Sequence, residues 1–394
     1  SKSELASAMP ENGGAYLYLD RSFGPLIGTI GGLGLWASFL LKSAFALIGF
    51  SAYMYAVTNY LDITTNSTFM IMSALALITF LNILGIKKVK AFQTPILALT
   101  TGLVMIICIV QLFDANIDFS RPIDGAFDVS KNNPSLVAEA AALVFVAYAG
   151  IYKAGAIGGE IKNPEKNLHY GMLISLIAIT VFYVIVSIIM MASVEGEWWL
   201  NSDNTPREDP VFAFADAVTS TKVGIILALL AVLTMISGAL SGLLAASRFL
   251  FAMAKDSLLP NSLSETNKKF ETPHWAIILT GSMMGLSILT LPVKDVAKLA
   301  SGFQIMVIVA LNISVIVLRQ SKEENNWYKP KFRSPLYPYI QIFGTITGGY
   351  LVIIMGSKAI IGALAAVVIG VSTYYIYGKK HYKADFSEIS DQEE

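Results

Sequence analysis

Long apolar runs separated by short polar linkers repeat along the whole chain. A bilayer core about 30 Å thick is crossed by roughly 20 apolar residues at a helical rise of about 1.5 Å. The strands of a membrane barrel would be only about ten residues long and would alternate in polarity, and these runs do neither. The pattern therefore predicts an all-α integral membrane protein. The predicted spans are residues 24–57, 68–86, 94–113, 135–158, 168–192, 222–254, 274–293, 297–318, 336–355 and 357–377.

The composition agrees with lipid as the main solvent. Only 14% of the 394 residues are charged, where soluble globular chains carry about 25%. The 28 basic and 28 acidic residues balance, which argues against a nucleic-acid partner. The lone cysteine, Cys108, excludes a disulfide framework and a cysteine metal site, and the three histidines lack metal-ligand spacing. We expect no metal, no cofactor and, without a catalytic grouping or a Walker-type phosphate loop, no enzyme.

Lysine and arginine concentrate in the loops on the side of both chain ends, whereas the opposite loops are acidic. The positive-inside rule therefore predicts that both ends lie in the cytoplasm. No soluble domain separates from the spans, so we expect residues 1–394 to form a single transport domain. The acidic residues 382–394 are predicted to be a disordered cytoplasmic tail.

One span carries an unusual density of glycine. Gly150, Gly155, Gly158 and Gly159 fall in ten residues that also contain Lys153. Each glycine weakens a helix by about 1 kcal/mol, and interrupted helices at membrane depth are tolerated only beside a cavity. Small residues also allow close helix packing without any site. Because polar residues accompany the glycines, we favour an interrupted helix that lines a site.

Lys42 lies near the middle of span 24–57, roughly 20 Å or more from either end and beyond snorkelling reach. It is either a paired structural lysine or a group that takes part in coupling or substrate binding. Desolvation can bring a buried lysine into a range where it exchanges protons.

Two further polar features lie in or beside spans. Ser237 and Ser241 are four residues apart on one helix face and could contact an ion or substrate. Serines in membrane helices also bond to their own backbone carbonyls, which would need no site. Glu160 precedes a Lys-Asn-Pro sequence, which is first a helix stop signal and second a candidate gate.

Several sequence phrases resemble the amino acid–polyamine–organocation superfamily of secondary transporters. ELASAMPENGGAY at residues 4–16 is similar to the family's loop between its second and third helices. FVAYAG at residues 145–150 and EIKNP at residues 160–164 resemble its broken sixth helix and the loop after it. Residues 247–260 resemble the end of its eighth helix. The order and spacing of these phrases cover nearly the whole chain.

The resemblance implies the family's five-plus-five inverted-repeat fold, with substrate bound at the midplane between broken helices. The ten spans would correspond to family helices three to twelve, so that the first helix and most of the second would precede Ser1. We expect the chain as written not to transport alone, because the first helix supplies backbone groups to the family's substrate carboxylate and coupling ion.

The resemblance also implies site residues. The substrate-binding candidates are Ala147, Tyr148, Ala149, Gly150, Ser38, Phe39 and Ser43. The coupling or ion candidates are Lys42, Lys153, Ser237, Ser241 and Glu160. Some proton-coupled members carry a lysine in the fifth helix, where this chain has Thr100, so Lys42 or Lys153 would have to replace it.

The implied function is secondary active transport of an amino acid or related amine-containing solute across the plasma membrane. A proton gradient, a sodium gradient or exchange would drive it, and the lipid bilayer is its medium. The alternatives are an amino acid sensor of the same fold that does not transport, and a channel.

Overall fold

A computed structural model describes residues 1–9, 14–85, 89–145, 147–150, 163–201, 203–320 and 328–382. α-Helices dominate these ranges, and the β pairing found in them is one isolated bridge between Leu200 and Pro206. The α-helices are α1 (Lys2–Ala8), α2 (Ala15–Phe23), α3 (Pro25–Tyr60), α4 (Ser67–Ile83), α5 (Val89–Gln111), α6 (Ser120–Asn132), α7 (Pro134–Val144), α8 (Pro164–Ser193), α9 (Pro210–Val218), α10 (Thr221–Lys255), α11 (His274–Thr290), α12 (Val293–Gln320), α13 (Tyr339–Ile354), α14 (Ser357–Thr373) and α15 (Lys379–His381).

The predicted all-α membrane architecture is confirmed. Within the described ranges, six helices are long and apolar enough to cross a membrane: α3, α5, α8, α10, α12 and the segment Ser357–His381 that begins with α14. Four shorter apolar helices, α4, α7, α11 and α13, fall in the remaining predicted spans. Prolines open α3, α7, α8 and α9, where their missing N–H leaves no intrahelical bond unmade.

Short helices in the polar linkers were not predicted. α1 and α2 precede the first long span, and α6 and α9 lie between spans. α6 carries no buried residue, so hydropathy gives no signal for it. Helices of 7 to 13 residues are too short to give the hydropathy signal of a membrane span.

The chain forms two compact units. The first contains Ser1–Lys42, Ala138–Ile177 and Gly242–Glu394, and the second contains Ser43–Val137 and Ala178–Ser241. In the first unit, α1 and α2 pack against α3, α10 and α12 around Leu5, Tyr16, Phe39, Phe249 and Val307. In the second unit, the core brings Ile107 and Cys108 of α5 together with Ile189, Phe214 and Leu227.

Glycines allow α3 to approach its neighbours in the first unit closely. A Cβ on Gly32 would lie 2.5 Å from the Met253 sulfur, and one on Gly34 would lie 3.1 Å from Met306 Cε. The adjacent glycine pair Gly31-Gly32 is thus a packing feature, as its place within an apolar run suggests.

One buried carboxylate joins α1 to the end of α12. Glu4 is fully buried, and it accepts hydrogen bonds from Arg319 Nε and Nη2, both at 2.7 Å. The Tyr328 hydroxyl at 3.0 Å and the Ser334 amide at 2.8 Å donate to the same carboxylate. Arg319 also lies over the Tyr337 ring, 4.3 Å from its centroid.

Hydrogen bonds compensate for the burial of the charged groups in this network. Burial alone would raise the pKa of the Glu4 carboxyl, but the hydrogen bonds from Arg319 and Ser334 lower it below its usual value. A bidentate arginine–carboxylate pair with further donors meets the requirement for a buried ion pair. The network therefore fixes α1, α12 and the 328–337 segment to one another.

We expect Glu4→Ala to lower the free energy of unfolding by about 3–5 kcal/mol, because it leaves the Arg319 guanidinium, 17% exposed, without its carboxylate. Glu195→Ala is the matched control. Its partner Arg121 lies at an equally short 2.6 Å, but the Glu195 side chain is 85% exposed, so the loss should stay below about 1 kcal/mol. Thermal unfolding of the protein, monitored by the labelling of buried Cys108, measures the loss of stability in both variants. Equal losses would contradict the role of burial.

Candidate substrate site

The interrupted segment begins directly after α7. This helix ends at Val144, and a 3-10 turn follows over Ala147–Ala149. Tyr148 is half-buried, and a Cβ built on Gly150 would meet no described atom within 4 Å. Of the predicted candidates, Lys153, Glu160 and the Ala149 side chain lie outside the described residues.

In the first unit, two predicted residues of α3 form part of its helix packing. The Ser38 hydroxyl is buried and donates to the Ala300 carbonyl of α12 at 2.7 Å. The Phe39 ring is 1% exposed and stacks on Phe249 of α10, with 5.5 Å between ring centroids. Ser38 thus joins α3 to α12, and Phe39 packs α3 against α10.

Lys42 follows Ser38 by one helical turn, so the two share a face of α3. Its ammonium nitrogen lies 5.3 Å from the centroid of the Phe39 ring, a cation–π distance. The lysine side chain therefore leans toward the N-terminus of α3, which is the usual direction for long helical side chains. Burial, together with the nearby charge of Lys42, lowers the pKa of Lys2 on α1 well below its usual value.

Two polar residues of α12 near Ser38 were missed in the sequence analysis. Gln304 is 1% exposed and Ser301 is fully buried. Both side-chain atoms of the Gln304 amide and the Ser301 hydroxyl have no hydrogen-bond partner among the described residues. A buried unpaired polar group costs about 1–3 kcal/mol, so these groups call for an explanation. A glutamine inside an apolar run was the sequence signal that could have identified them.

An ion pair joins α7 to α12 one turn before Ser301. Lys298 Nζ lies 2.7 Å from Glu139 Oε1, and Lys294 Nζ lies 3.9 Å from the same oxygen. The Lys298 and Glu139 side chains are 17% and 26% exposed. This pair fixes the helix that precedes the interrupted segment. The sequence did not predict it, because the two residues are far apart in sequence.

The second unit holds the remaining candidates. Ser43 is 2% exposed, and the buried Ser237 hydroxyl has no partner among the described residues. The Ser241 hydroxyl donates to the Gly238 carbonyl at 3.0 Å. The Thr100 hydroxyl donates to the Ile96 carbonyl at 2.8 Å and lies 3.2 Å from the Thr234 hydroxyl. At the Thr100 position two hydroxyls thus lie within hydrogen-bond distance of each other.

A cluster of acids and tyrosines lies at the other end of the first unit. The Tyr16 hydroxyl donates to Asp256 Oδ2 at 2.6 Å, and the Tyr382 hydroxyl donates to Asp20 Oδ2 at 3.0 Å. Burial, together with the nearby charge of Asp256, raises the pKa of Asp20 to about 6; the Tyr382 hydrogen bond and the charge of Arg21 oppose this rise. Burial therefore disfavours the charged form of Asp20, and the Tyr382 hydrogen bond compensates only in part.

In the described part of the chain, no three His, Cys, Asp or Glu residues come together to hold a metal ion. The functional features are instead long apolar helices, one helix that ends inside a predicted span, and a few buried polar side chains. These features are typical of a multi-pass membrane protein. The chain belongs to the amino acid permease family, whose profile matches residues 2–376.

Curated relatives of the chain are transport proteins. It is 28% identical to the branched-chain amino acid permease BcaP of Bacillus subtilis (strain 168), over 97% of this chain and 83% of the relative. It is 26% identical to the methylthioribose transporter of the same organism, over 96% and 82%. It is also 26% identical to the serine/threonine exchanger SteT of that organism, over 97% and 85%. Amino acid transport is thus the general function of the family.

The raised pKa of Asp20 gives a pH dependence of known sign. The pKa of the Asp20 carboxyl is about 6 in the folded chain, against an ordinary value of 3.8 in the unfolded chain. Between pH 3.8 and pH 6 the folded state therefore binds more protons than the unfolded state. Stability from the protonated carboxyl is therefore lost as pH rises through this window. We expect Asp20→Asn to be more stable than the wild type at pH 7, by up to about 3 kcal/mol, and to lose this advantage near pH 4.

Asp118→Asn is the control with the opposite sign. Hydrogen bonds from the Ser120 hydroxyl and amide lower the pKa of this exposed carboxyl. Its replacement should reduce stability at pH 7, with convergence to the wild type at low pH. Thermal unfolding midpoints between pH 4 and pH 7 measure both variants. An Asp20→Asn midpoint that follows the wild type at every pH would show that Asp20 titrates normally.

Proposed function

We propose that the protein is a gradient-driven transporter of an amino acid or related amine-containing solute in the plasma membrane, with both ends of this chain cytoplasmic. The observation that carries the proposal is the ammonium of Lys42 beside Phe39, inside the long apolar helix α3. Intramembrane ionisable groups usually mark substrate or ion pathways. The printed functions of the relatives named above support a small solute such as an amino acid.

The proposed site combines the interrupted segment with α3. Residues 147–150 would present backbone groups to the substrate, because a chain that leaves the helical conformation frees its N–H and C=O groups. Phe39 would face the solute, and Ser38 would hold α3 against α12. Ser43, which belongs to the second unit, is proposed as a separate substrate contact. Ser237 and Ser241 are proposed to contact the coupling ion, with Lys153 and Glu160 as further candidates.

Uptake by the full-length protein in proteoliposomes tests this proposal. Concentrative uptake of a radiolabelled amino acid that collapses when the proton and sodium gradients are removed supports a transporter. Saturable binding without uptake would identify a sensor, and uptake that never exceeds equilibrium would identify a channel. Either of these outcomes would overturn the proposal.

Lys42 is proposed to carry the coupling proton, a role that Thr100 lacks the chemistry to fill. A permanent charge at this depth costs about 2.5–3.5 kcal/mol on insertion scales, so a lysine that alternates between its two forms is physically reasonable. We expect Lys42→Met to fold, since a side chain of similar length replaces the lysine, and to lose the dependence of uptake on the proton gradient. Lys294→Met, at a lysine whose side chain is 71% exposed, is the matched control.

Initial uptake rates against external pH distinguish the two variants. The Lys42→Met profile should be flat, while the Lys294→Met profile should follow the wild type. A folded Lys42→Met protein with the wild-type pH profile would make Lys42 structural and direct the search to Lys153, Glu160 or Ser237.

Gly150→Val tests the interrupted segment. Space around a Cβ is open among the described residues, so we expect little loss of stability, whereas a β-branched side chain restricts the backbone and enters the proposed site. The apparent affinity for substrate should fall at least tenfold. Gly171→Val is the control, because Gly171 of α8 is exposed and also open around its Cβ. Normal affinity in Gly150→Val would argue against a substrate contact there.

A further inference from the structure

We infer that α6 lies along the membrane surface, with its apolar face among the acyl chains of zwitterionic lipid. The apolar face consists of Phe119, which directly precedes α6, and of Ile123, Phe127 and Val129 within it. All four residues lie in the second unit. The inference goes beyond the proposed function, because it concerns a surface for lipid and does not depend on transport.

The sequence of α6 separates apolar from polar side chains around the helix. Phe119, Ile123 and Phe127 follow one another at intervals of four residues, which places them on one face. The charged residues lie on the other side of the helix: Arg121, Asp124, Asp128 and Lys131. Ser130 falls on the apolar face, but its hydroxyl donates to the Phe127 carbonyl at 2.9 Å, so its proton is satisfied within the helix.

The apolar face is exposed within the described part of the chain. Ile123 and Phe127 are 52% and 71% exposed, and α6 contains no buried residue. A helix of 13 residues that buries no apolar side chain is only marginally stable in water, and Gly125 weakens it further. A surface outside the described residues must therefore supply the stabilisation that α6 needs.

Both ends of α6 are attached to the ends of apolar helices. The Asp118 amide donates to the Ala192 carbonyl at 3.0 Å, and Arg121 Nη2 lies 2.6 Å from Glu195 Oε1. These contacts fix the start of α6 beside the end of α8. Asn133 alone separates the end of α6 from α7. At a length of about 20 Å, α6 is too short to join opposite membrane surfaces, so it runs along one of them.

Exposed apolar side chains continue in sequence on both sides of α6. Phe113, two residues after α5, is 85% exposed, and Leu136 and Val137 at the start of α7 are also exposed. Trp199, which follows α8, is exposed as well, and tryptophan is typical of the membrane–water interface. Lipid around these helix ends therefore lies at the level of the apolar face of α6.

The polar face of α6 carries no net charge, because Arg121 and Lys131 balance Asp124 and Asp128. Interfacial helices that select anionic lipid carry an excess of lysine and arginine on this face. Electrostatic attraction to anionic headgroups therefore contributes little here. The apolar face is the main attachment, and zwitterionic lipid is sufficient for it.

Nitroxide labels on the protein in phosphatidylcholine nanodiscs test the inference without requiring transport. Single cysteines replace Ile123 or Phe127 on the apolar face, and the next residues in sequence, Asp124 or Asp128, on the polar face. Buried Cys108 stays unlabelled in the folded protein. Power saturation compares how often each label collides with oxygen, which concentrates in acyl chains, and with a water-soluble nickel chelate.

We expect oxygen collisions to exceed nickel collisions about threefold or more for Ile123→Cys and Phe127→Cys, because their labels lie below the headgroups. The matched variants Asp124→Cys and Asp128→Cys should show the reverse preference. Replacement of part of the lipid by anionic phosphatidylglycerol should leave the four ratios unchanged, because the polar face is neutral.

Three outcomes would overturn the inference. A preference for nickel at all four positions would place α6 in water. Poor access of both reagents to the apolar-face labels would mean that a second copy of the chain or another protein covers this face. Oxygen collisions that rise with phosphatidylglycerol would make α6 a site for anionic lipid.

A photoreactive reagent dissolved in the acyl chains gives the same test on the unmodified protein, so the result does not depend on the folding of the variants. It should label Ile123 and Phe127 more than Asp124 and Asp128. Equal labelling of the two faces, or labelling of neither, would contradict a lipid-covered apolar face.

Discussion

Every backbone N–H and C=O that lies in hydrocarbon must find its partner within the protein, and the rest of this structure depends on that constraint. It explains why the apolar runs are helices. It also explains the behaviour of most hydroxyls in them, which donate to a carbonyl one turn earlier in the same helix. Examples are Thr29 to Pro25, Thr79 to Leu75, Thr280 to Ala276 and Ser314 to Ala310.

Some buried polar groups in the described ranges depart from this behaviour. Ser38 donates across to α12, while Ser301, Gln304 and Ser237 have no described partner. A hydroxyl that donates to a carbonyl of its own helix has used its one proton and can only accept from, or coordinate, a ligand. Buried groups without a partner among the described residues are therefore the better candidates for donating to a ligand, although leaving them unpaired costs about 1–3 kcal/mol.

Hydropathy was sufficient to predict the spans because an apolar run of bilayer length leaves a helix as its stable conformation. The depth of Lys42 and the end of the helix near Gly150 could be anticipated for the same reason, since each breaks an otherwise apolar pattern. The pairing of Glu4 with Arg319 and of Glu139 with Lys298 could not. Each joins residues far apart in sequence, and a charge in the sequence does not indicate its partner. The short helices of the linkers also lack a span-length signal.

The Glu4–Arg319 pair has a consequence for biosynthesis. The two residues are 315 positions apart, and ribosomes add about 5–20 residues per second, so Arg319 is made roughly 15–60 s after Glu4. Throughout that interval the Glu4 carboxylate lacks the Arg319 guanidinium and is better solvated by water than by the protein interior. The segment around α1 therefore has to wait for the last third of the chain before it can take its final buried position, and nascent chains halted before Arg319 will hold it exposed to proteases and chaperones.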